Sequence, residues 1–228
     1  MLKRIAPLRR AILRVRHGRP YVRSYSQIGE DTVVHYIFAR LGIVHPTYID
    51  IGANDPMRFN NTALLYEESS RGINIEPDPA VFKELAHTRK HDVNLNIGIS
   101  DKDGEAEFYL FNDDKFSTFS KGEAERLVKD SPSLSFTILK VPTRTVDSVI
   151  NEYSNGVFPD FLSLDVEGLD RMVLESIDYV KSAPKVICVE TIKDPEKIES
   201  FLLSKGYFKF SGTFLNTIFC KKDIWENR

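Results

Sequence analysis

Along this chain, short runs of consecutive apolar residues alternate with longer stretches in which apolar residues recur every three or four positions. The first kind reads as buried strand, the second as helix with one face inward. Val33, Val34, Ile37, Phe38 and Leu41 form a helical face ended by Gly42. A strand at about 47–52 follows, then a helix from near Asn61 with Ala63, Leu64 and Leu65 inward, then a second strand at about 72–76. Asp78 is placed to cap the next helix, Pro79 suits its first turn, and Val81, Phe82 and Leu85 face inward. A third strand spans about 93–99. Asp101-Lys102-Asp103-Gly104 is turn chemistry ahead of the alternating stretch 105–110.

The second half continues in the same way. A strand near 136–143 leads to a helix opened by Thr145, with Val146, Val149 and Ile150 inward. The apolar runs 160–165 and 185–190 read as buried strands around a helix that buries Met172, Val173, Leu174 and Ile177. A last helix near 195–205 stops at Gly206. The runs 207–211 and 215–221 lie too close together for a parallel crossover and must form an antiparallel hairpin. Residues 112–135 are polar, contain Gly122 and Pro132, and show no clear long period, which marks a substrate loop or lid. Strand and helix alternation of this kind implies an α/β fold with a mostly parallel sheet and helices on both faces.

In such sheets the ligand lies outside the carboxyl ends of the strands. Four strands end there in polar residues: Asp50, Gly52 and Asn54; Glu76; Asp165 to Gly168; and Glu190 with Thr191. The strand Tyr48-Ile49-Asp50-Ile51 runs into a one-glycine turn, and 24 residues after Gly52 an acid, Glu76, closes the next strand. A carboxylate has two acceptor oxygens for the two donors of a ribose diol. A dinucleotide would need the further glycines of G-x-G-x-x-G beneath its pyrophosphate. The turn Asp50-Ile51-Gly52-Ala53-Asn54 therefore suits a nucleoside ligand without phosphates, of which S-adenosylmethionine is the commonest.

Composition narrows the class. The 228 residues suit one domain with a sizeable core, and no run of 18 apolar residues suggests a membrane span. Cys188 and Cys220 sit in apolar runs without metal-ligand spacing and read as small buried hydrophobes. Charge is unevenly placed. Eight of the 31 basic residues and none of the 33 acids fall in residues 1–23, which leaves the remainder at a net −10. This basic extension carries Leu2, Ile5, Leu8, Ile12 and Val15 at roughly helical spacing and lacks the apolar core of a secretory signal. It suits the anionic inner face of a membrane or an acidic partner, or is a solvated extension. An acidic remainder without a second basic stripe argues against nucleic acid. The expected organisation is a basic extension over 1–23 and one domain over 24–228, cytoplasmic and at most peripheral at the membrane.

Nine segments resemble the FkbM-type S-adenosylmethionine-dependent methyltransferases between about Ser26 and Glu190. They are S-Q-I-G-E-D (26–31), Y-I-D-I-G-A-N-D-P (48–56), N-N-T-A-L-L-Y-E (60–67), G-I-N-I-E-P-D-P (72–79), N-L-N-I-G-I-S (94–100), S-T-F (117–119), V-P-T-R-T-V (141–146), F-L-S-L-D-V-E-G (161–168) and V-I-C-V-E (186–190). Gly98 departs from the family's more usual Ala, a difference expected to be harmless. The resemblance implies a Rossmann-like class I methyltransferase fold, α/β, with a mostly parallel seven-stranded sheet and a C-terminal antiparallel hairpin. It implies that Asp50 and Gly52 line the methionine end of the cofactor, with Asn54 in the same turn. Glu76 takes the ribose beside Pro77, Ile99 and Ser100 lie near adenine, and Gln27 covers the amino-acid moiety. For Gln27 and Glu30, local capping of the first helix stands beside that role.

Asp165, Glu167 and Glu190 form a reaction-side cluster. O-methylation needs a base for the acceptor hydroxyl and placement of its oxygen in line with the methyl carbon. A carboxylate alone is a weak base toward an alcohol. Mg²⁺ or a similar cation on Asp165 and Glu190 would lower the hydroxyl pKa and orient a diol. Equally open is a metal-free arrangement in which Asp165 binds the cofactor's ammonium and Glu167 caps the next helix. None of the five histidines falls in a motif, so a histidine base is not expected. The leading expectation is O-methylation of a sugar hydroxyl in a glycan or glycosylated metabolite. Other readings are methylation of a non-sugar hydroxyl or amine, and a non-catalytic cofactor-binding module. The lack of N-P-P-Y or D-P-P-Y after the fourth strand argues against nucleobase or glutamine amide methylation.

Overall fold

A computed structural model describes residues 23–227. The basic extension, apart from Arg23, lies outside them, so its expected membrane role has no structural counterpart here. Eight helices and ten strands follow in order: α1 (Glu30–Leu41), β1 (Tyr48–Ile51), α2 (Ala63–Glu67), β2 (Gly72–Ile75), α3 (Pro79–Thr88), β3 (Val93–Leu95), β4 (Gly98–Ile99), β5 (Gly104–Phe111), α4 (Lys121–Asp130), β6 (Phe136–Arg144), α5 (Val146–Tyr153), β7 (Phe161–Leu164), α6 (Asp170–Ser176), β8 (Val186–Glu190), α7 (Pro195–Ser204), β9 (Tyr207–Gly212), β10 (Asn216–Lys221) and α8 (Lys222–Glu226).

Seven strands form the main sheet in the order β3-β2-β1-β7-β8-β10-β9. All neighbours are parallel except β10, which runs antiparallel to both β8 and β9. The chain starts at β1, fills one side, and returns to β7 on the other. The order therefore reverses between β1 and β7, and a crevice opens at their carboxyl ends. The mostly parallel sheet and terminal hairpin agree with the sequence pattern.

Strand alternation divides the core in two. Ile49, Ile51, Leu162, Leu164, Ile187 and Val189 point to one face, packed with Val146, Val149 and Ile150 of α5, Val173 and Leu174 of α6, and Ile198 and Leu202 of α7. Tyr48, Phe161, Val186 and Cys188 point to the other, against Val34, Ile37 and Phe38 of α1 and Leu65 of α2. The same alternation sends Asp50, Ser163, Asp165 and Glu190 to the α1–α2 side. Leu164 is in register with Val189, so Asp165 and Glu190, one residue further on, end side by side. Both cysteines are buried and unbridged. Among the described residues, no helix is long and apolar enough to cross a membrane.

Two elements differ from the sequence pattern. The expected third strand over 93–99 breaks after Leu95. Asn96 donates its side-chain amide to the carbonyls of Glu76 (2.8 Å) and Pro77 (3.0 Å), which turns the chain out of the main sheet. β4 then joins β6 and β5 in a separate three-stranded sheet. The polar segment 112–135 is not wholly irregular but contains α4. Ser120 caps α4 by accepting from the Glu123 amide, and Ala124 is buried with Tyr109 and Phe111 in a small satellite core. A helix resting on so few apolar contacts leaves only a faint period in the sequence.

Candidate active site

A cavity of about 410 Å³ opens at the crevice between β1 and β7. Its size is within the roughly 300–1,000 Å³ that takes a drug-sized ligand. Gln27, Asp50, Gly52, Asn54, Glu76, Pro77, Ile99, Asp165 and Glu167 all line it. Two expected site residues do not. Ser100 lies behind the wall, donating its amide to the Arg144 carbonyl (2.9 Å) and its hydroxyl to Asp101 (3.1 Å). Glu190 is absent from the wall, but its carboxylate meets those of Asp165 and Glu167, one oxygen of each lying within 4.8 Å of the others.

Gly52 makes the turn after β1. Its φ is +79°, and its amide and that of Ala53 both donate to the Ile75 carbonyl at the end of β2. A Cβ there would stand 1.8 Å from the Asp165 carbonyl oxygen, so only glycine lets the tips of β1 and β7 meet. Glu76 is 5 % exposed and fixed by both turns. One oxygen accepts from the Asn54 amide (2.9 Å) and the other from the Asp78 amide (2.8 Å). Each oxygen keeps a second lone pair for a further donor. Burial pushes the Glu76 pKa up to about 7.

Asp50 is held by residues that its own motif does not contain. Its Oδ2 accepts from Thr62 (2.7 Å) and from the Asn60 amide (3.3 Å). Behind them lies Arg89, fully buried at the C-terminal cap of α3, four residues after Leu85. It donates to the Pro56 carbonyl (2.8 Å), the Tyr48 hydroxyl (3.0 Å), Asn60 Oδ1 (2.8 Å) and Thr62 Oγ1 (3.1 Å). A buried guanidinium with four protein acceptors fixes the loop 54–61 as a unit. Sequence reasoning missed Arg89, although an arginine four residues after a core leucine shares its helix face.

The segment after β5 closes the opposite side of the cavity. Thr118 pairs with Tyr109 through both backbone groups and donates its hydroxyl to the Glu167 carbonyl (3.2 Å). Glu123 of α4 meets Lys193 of the loop after β8 at 2.7 Å. This segment is thus tied to Glu167 of the acid cluster and to the loop after β8. Phe119 rests on Phe108, with centroids 4.7 Å apart, and its ring fills the space at Gly98. A Cβ at Gly98 would come 2.2 Å from Phe119 Cζ, so the ring occupies the space that an alanine side chain would need.

The acid cluster is electrostatically loaded. Burial raises the Asp165 pKa, and Glu190, Asp170 and Asp50 raise it further; Glu167 and Glu190 are raised by burial and by their neighbouring acids. Asp165 Oδ1 is buried without a hydrogen-bond partner, an acceptor positioned for a donor from a bound molecule. Glu167 does not cap α6, whose start has no side-chain cap; Asp170 in its first turn instead holds the preceding loop, accepting from the amides of Val166 (3.1 Å) and Gly168 (3.2 Å). Glu167 itself sits at φ +51°, beside Asn54 at +44° and Phe59 at +55° in the same cavity wall. Strained backbone of this kind, of order 1–3 kcal/mol per residue, gathers where a site holds groups in place.

Raised carboxyl pKa values have a definite sign in stability. In each case the folded protein keeps a proton that the unfolded chain releases near pH 4, so folding loses free energy as pH rises above that value. Glu76 alone, raised from 4.5 to about 7, corresponds to about 3 kcal/mol lost between those values. The ligand-free protein should therefore melt at a lower temperature at about pH 8 than at about pH 5.5. Glu76→Gln should reduce the difference, the other raised acids keeping the remainder. A melting temperature that rises over this interval contradicts the assignment.

At its switch point the mostly parallel sheet carries a buried acid, Glu76, and a cluster of carboxylates around one cavity. The chain belongs to the FkbM methyltransferase family, whose domain model matches residues 50–209. No curated protein matches the sequence. Among solved structures it is similar to a methyltransferase FkbM from Methylobacillus flagellatus, with 14% identity over 77% of this chain and a TM-score of 0.45. It spans 43% of that protein's length. It is also similar to a Methanococcus jannaschii fibrillarin pre-rRNA processing protein, with 11% identity, 78% of this chain, 67% of that one and a TM-score of 0.41. A third likeness is to a precorrin-6y C5,15-methyltransferase from Geobacter metallireducens, with 14% identity, 83% and 88% of the two chains, and a TM-score of 0.40. The family implies S-adenosylmethionine. The residues present are of the kinds it needs: Glu76 has two acceptor oxygens, Ile99 and Phe119 form an apolar wall, and Asp165 Oδ1 is a buried acceptor without a partner.

Proposed function

We propose that this protein is an S-adenosylmethionine-dependent O-methyltransferase acting on a sugar hydroxyl of a glycan or glycosylated metabolite. The observation that carries the reading is the convergence of Asp165, Glu167 and Glu190 beside the nucleoside cavity. S-adenosylmethionine supplies an electrophilic methyl carbon on a sulfonium. Asp50 and the Gly52 turn hold its methionine end, Glu76 its ribose, and Gln27 covers the amino-acid group. The carboxylates face the acceptor. Their raised pKa values make them better proton acceptors than ordinary carboxylates, and two hydroxyls of a sugar suit two acceptor oxygens.

A divalent cation on Asp165 and Glu190, with Glu167 beside them, is the second form of this reading; one oxygen of each acid lies within 4.8 Å of the others. Bound there, a cation would offset the repulsion among the acids and acidify an acceptor hydroxyl. Production of S-adenosylhomocysteine, measured across sugar, non-sugar hydroxyl and amine acceptors with and without Mg²⁺, tests the proposal. Sugar-dependent turnover is expected. Turnover with amines alone, or with none of these acceptors, would reject it.

A further inference from the structure

Beyond the reaction itself, we infer that the mouth of the active site is a docking face for an anionic lipid surface. Three exposed apolar side chains occur on three separate segments at the carboxyl edge of the sheet: Ile28 before α1 (44% exposed), Ile192 after β8 (55%) and Phe214 in the β9–β10 turn (81%). Hydrogen bonds gather these segments. The buried Glu30 carboxylate accepts from the Ile28 amide (2.9 Å), the Thr213 hydroxyl (3.1 Å) and the Asn216 amide group (3.2 Å). The Thr191 amide donates to the Leu215 carbonyl at 2.8 Å. Ile28 and Phe214 thus adjoin residues bonded to one carboxylate, and Ile192 follows the residue bonded next to Phe214.

Gln27, beside Ile28, lines the cavity, and so does Phe59, 47% exposed. Phe59 carries two cations: the Arg58 guanidinium 4.6 Å and the Lys115 ammonium 6.0 Å from its ring centroid. Among the described residues, neither cation has a salt bridge. An aromatic ring with cations beside it suits the headgroup level of an anionic bilayer. The chain that leads into Gln27 adds charge of the same sign, with eight basic residues and no acids in residues 1–23. Apolar tips for the acyl boundary and unpaired cations for the headgroups are the two components of interfacial binding. A mouth set on the lipid surface would meet an acceptor hydroxyl carried on a lipid without releasing it into water. This last point rests on the sugar-acceptor reading; the docking face does not.

The test is flotation of the full chain with phosphatidylcholine vesicles, with and without phosphatidylglycerol. Binding should need the anionic lipid and weaken with salt, because the Debye length falls from about 30 Å at 0.01 M to about 3 Å at 1 M. Phe214→Ser and Ile192→Ser should each weaken it roughly five- to tenfold, the scale of losing one partly buried apolar side chain. Val180→Ser, on the loop before β8 at the opposite edge and 98% exposed, should change nothing. Unaltered S-adenosylmethionine binding by the variants shows that they are folded, and it separates failure of this proposal from failure of the enzymatic one. Three results overturn the docking face. One is no vesicle binding by the parent. Another is equal binding by the parent, Phe214→Ser and Ile192→Ser. The third is tighter binding by a chain starting at Ser24, which would mean that the extension covers the face.

Discussion

Asp165→Asn and Glu190→Gln should each lower methyl transfer at least about 10²-fold, the low end for losing an acid–base or cation-holding carboxylate. Both changes keep side-chain size and remove charge. The two residues end adjacent parallel strands in register, so their carboxylates share one region with Glu167. The effects should split on binding. Asp165 lines the cavity and has an unpartnered oxygen, so Asp165→Asn should weaken S-adenosylmethionine as well. Glu190 stands outside the wall, so Glu190→Gln should leave the cofactor nearly as tightly bound. Neutralising Glu190 also removes a charge that raises the pKa of Asp165. Any residual activity should then show its lower-pH limb shifted to more acidic pH. Loss of activity with chelator and recovery with Mg²⁺ would select the cation-bound form. Unchanged turnover in both variants, assayed with a competent acceptor, would remove the cluster from the chemistry.

The sheet was largely legible because the apolar runs around Ile49, Ile73, Leu162 and Ile187 are short, contain at most one polar residue, and are set off by turn and helix patterns. Strands buried on both faces leave that mark. The turn and its acid were legible for a different reason: Gly52 and Glu76 stand at strand ends, where polar residues interrupt an apolar run. What escaped the pattern depends on contacts distant in sequence. The break at Asn96 is made by carbonyls some 20 residues away. The brace of Asp50 comes from Asn60, Thr62 and Arg89, and no local period shows which polar side chains will meet. Glu167 shows the limit most clearly. Its place three residues before Asp170 suits a helix cap, yet α6 has no side-chain cap, Asp170 holds the loop amides, and the Glu167 carboxylate joins the cluster. The second, three-stranded sheet was missed for the same reason. Its β4 is two residues long, too short to register as a separate element.

Glu76→Ala should weaken S-adenosylmethionine binding by roughly 30- to 1000-fold, corresponding to about 2–4 kcal/mol for two charge-assisted hydrogen bonds to a largely buried diol. The carboxylate is already oriented in the ligand-free protein, by the Asn54 and Asp78 amides. Little ordering remains to be done on binding, so nearly the full interaction is lost with the side chain. Alanine also leaves those two amides without their acceptor, and Glu76→Gln, which retains one oxygen, is the cleaner probe. The pKa of about 7 adds a second signature. A protonated carboxyl can accept only one of the two hydroxyl hydrogen bonds, so affinity should fall as pH drops below 7. At about pH 5.5 it should be roughly thirty-fold below its plateau, as expected for a group that must lose one proton to bind. Other buried acids of the site titrate too. The diagnostic is therefore the difference: parent and Glu76→Gln titrated calorimetrically across the same pH range. A parallel pair of pH profiles, or an alanine variant that binds as tightly as the parent, would show that the ribose is held elsewhere.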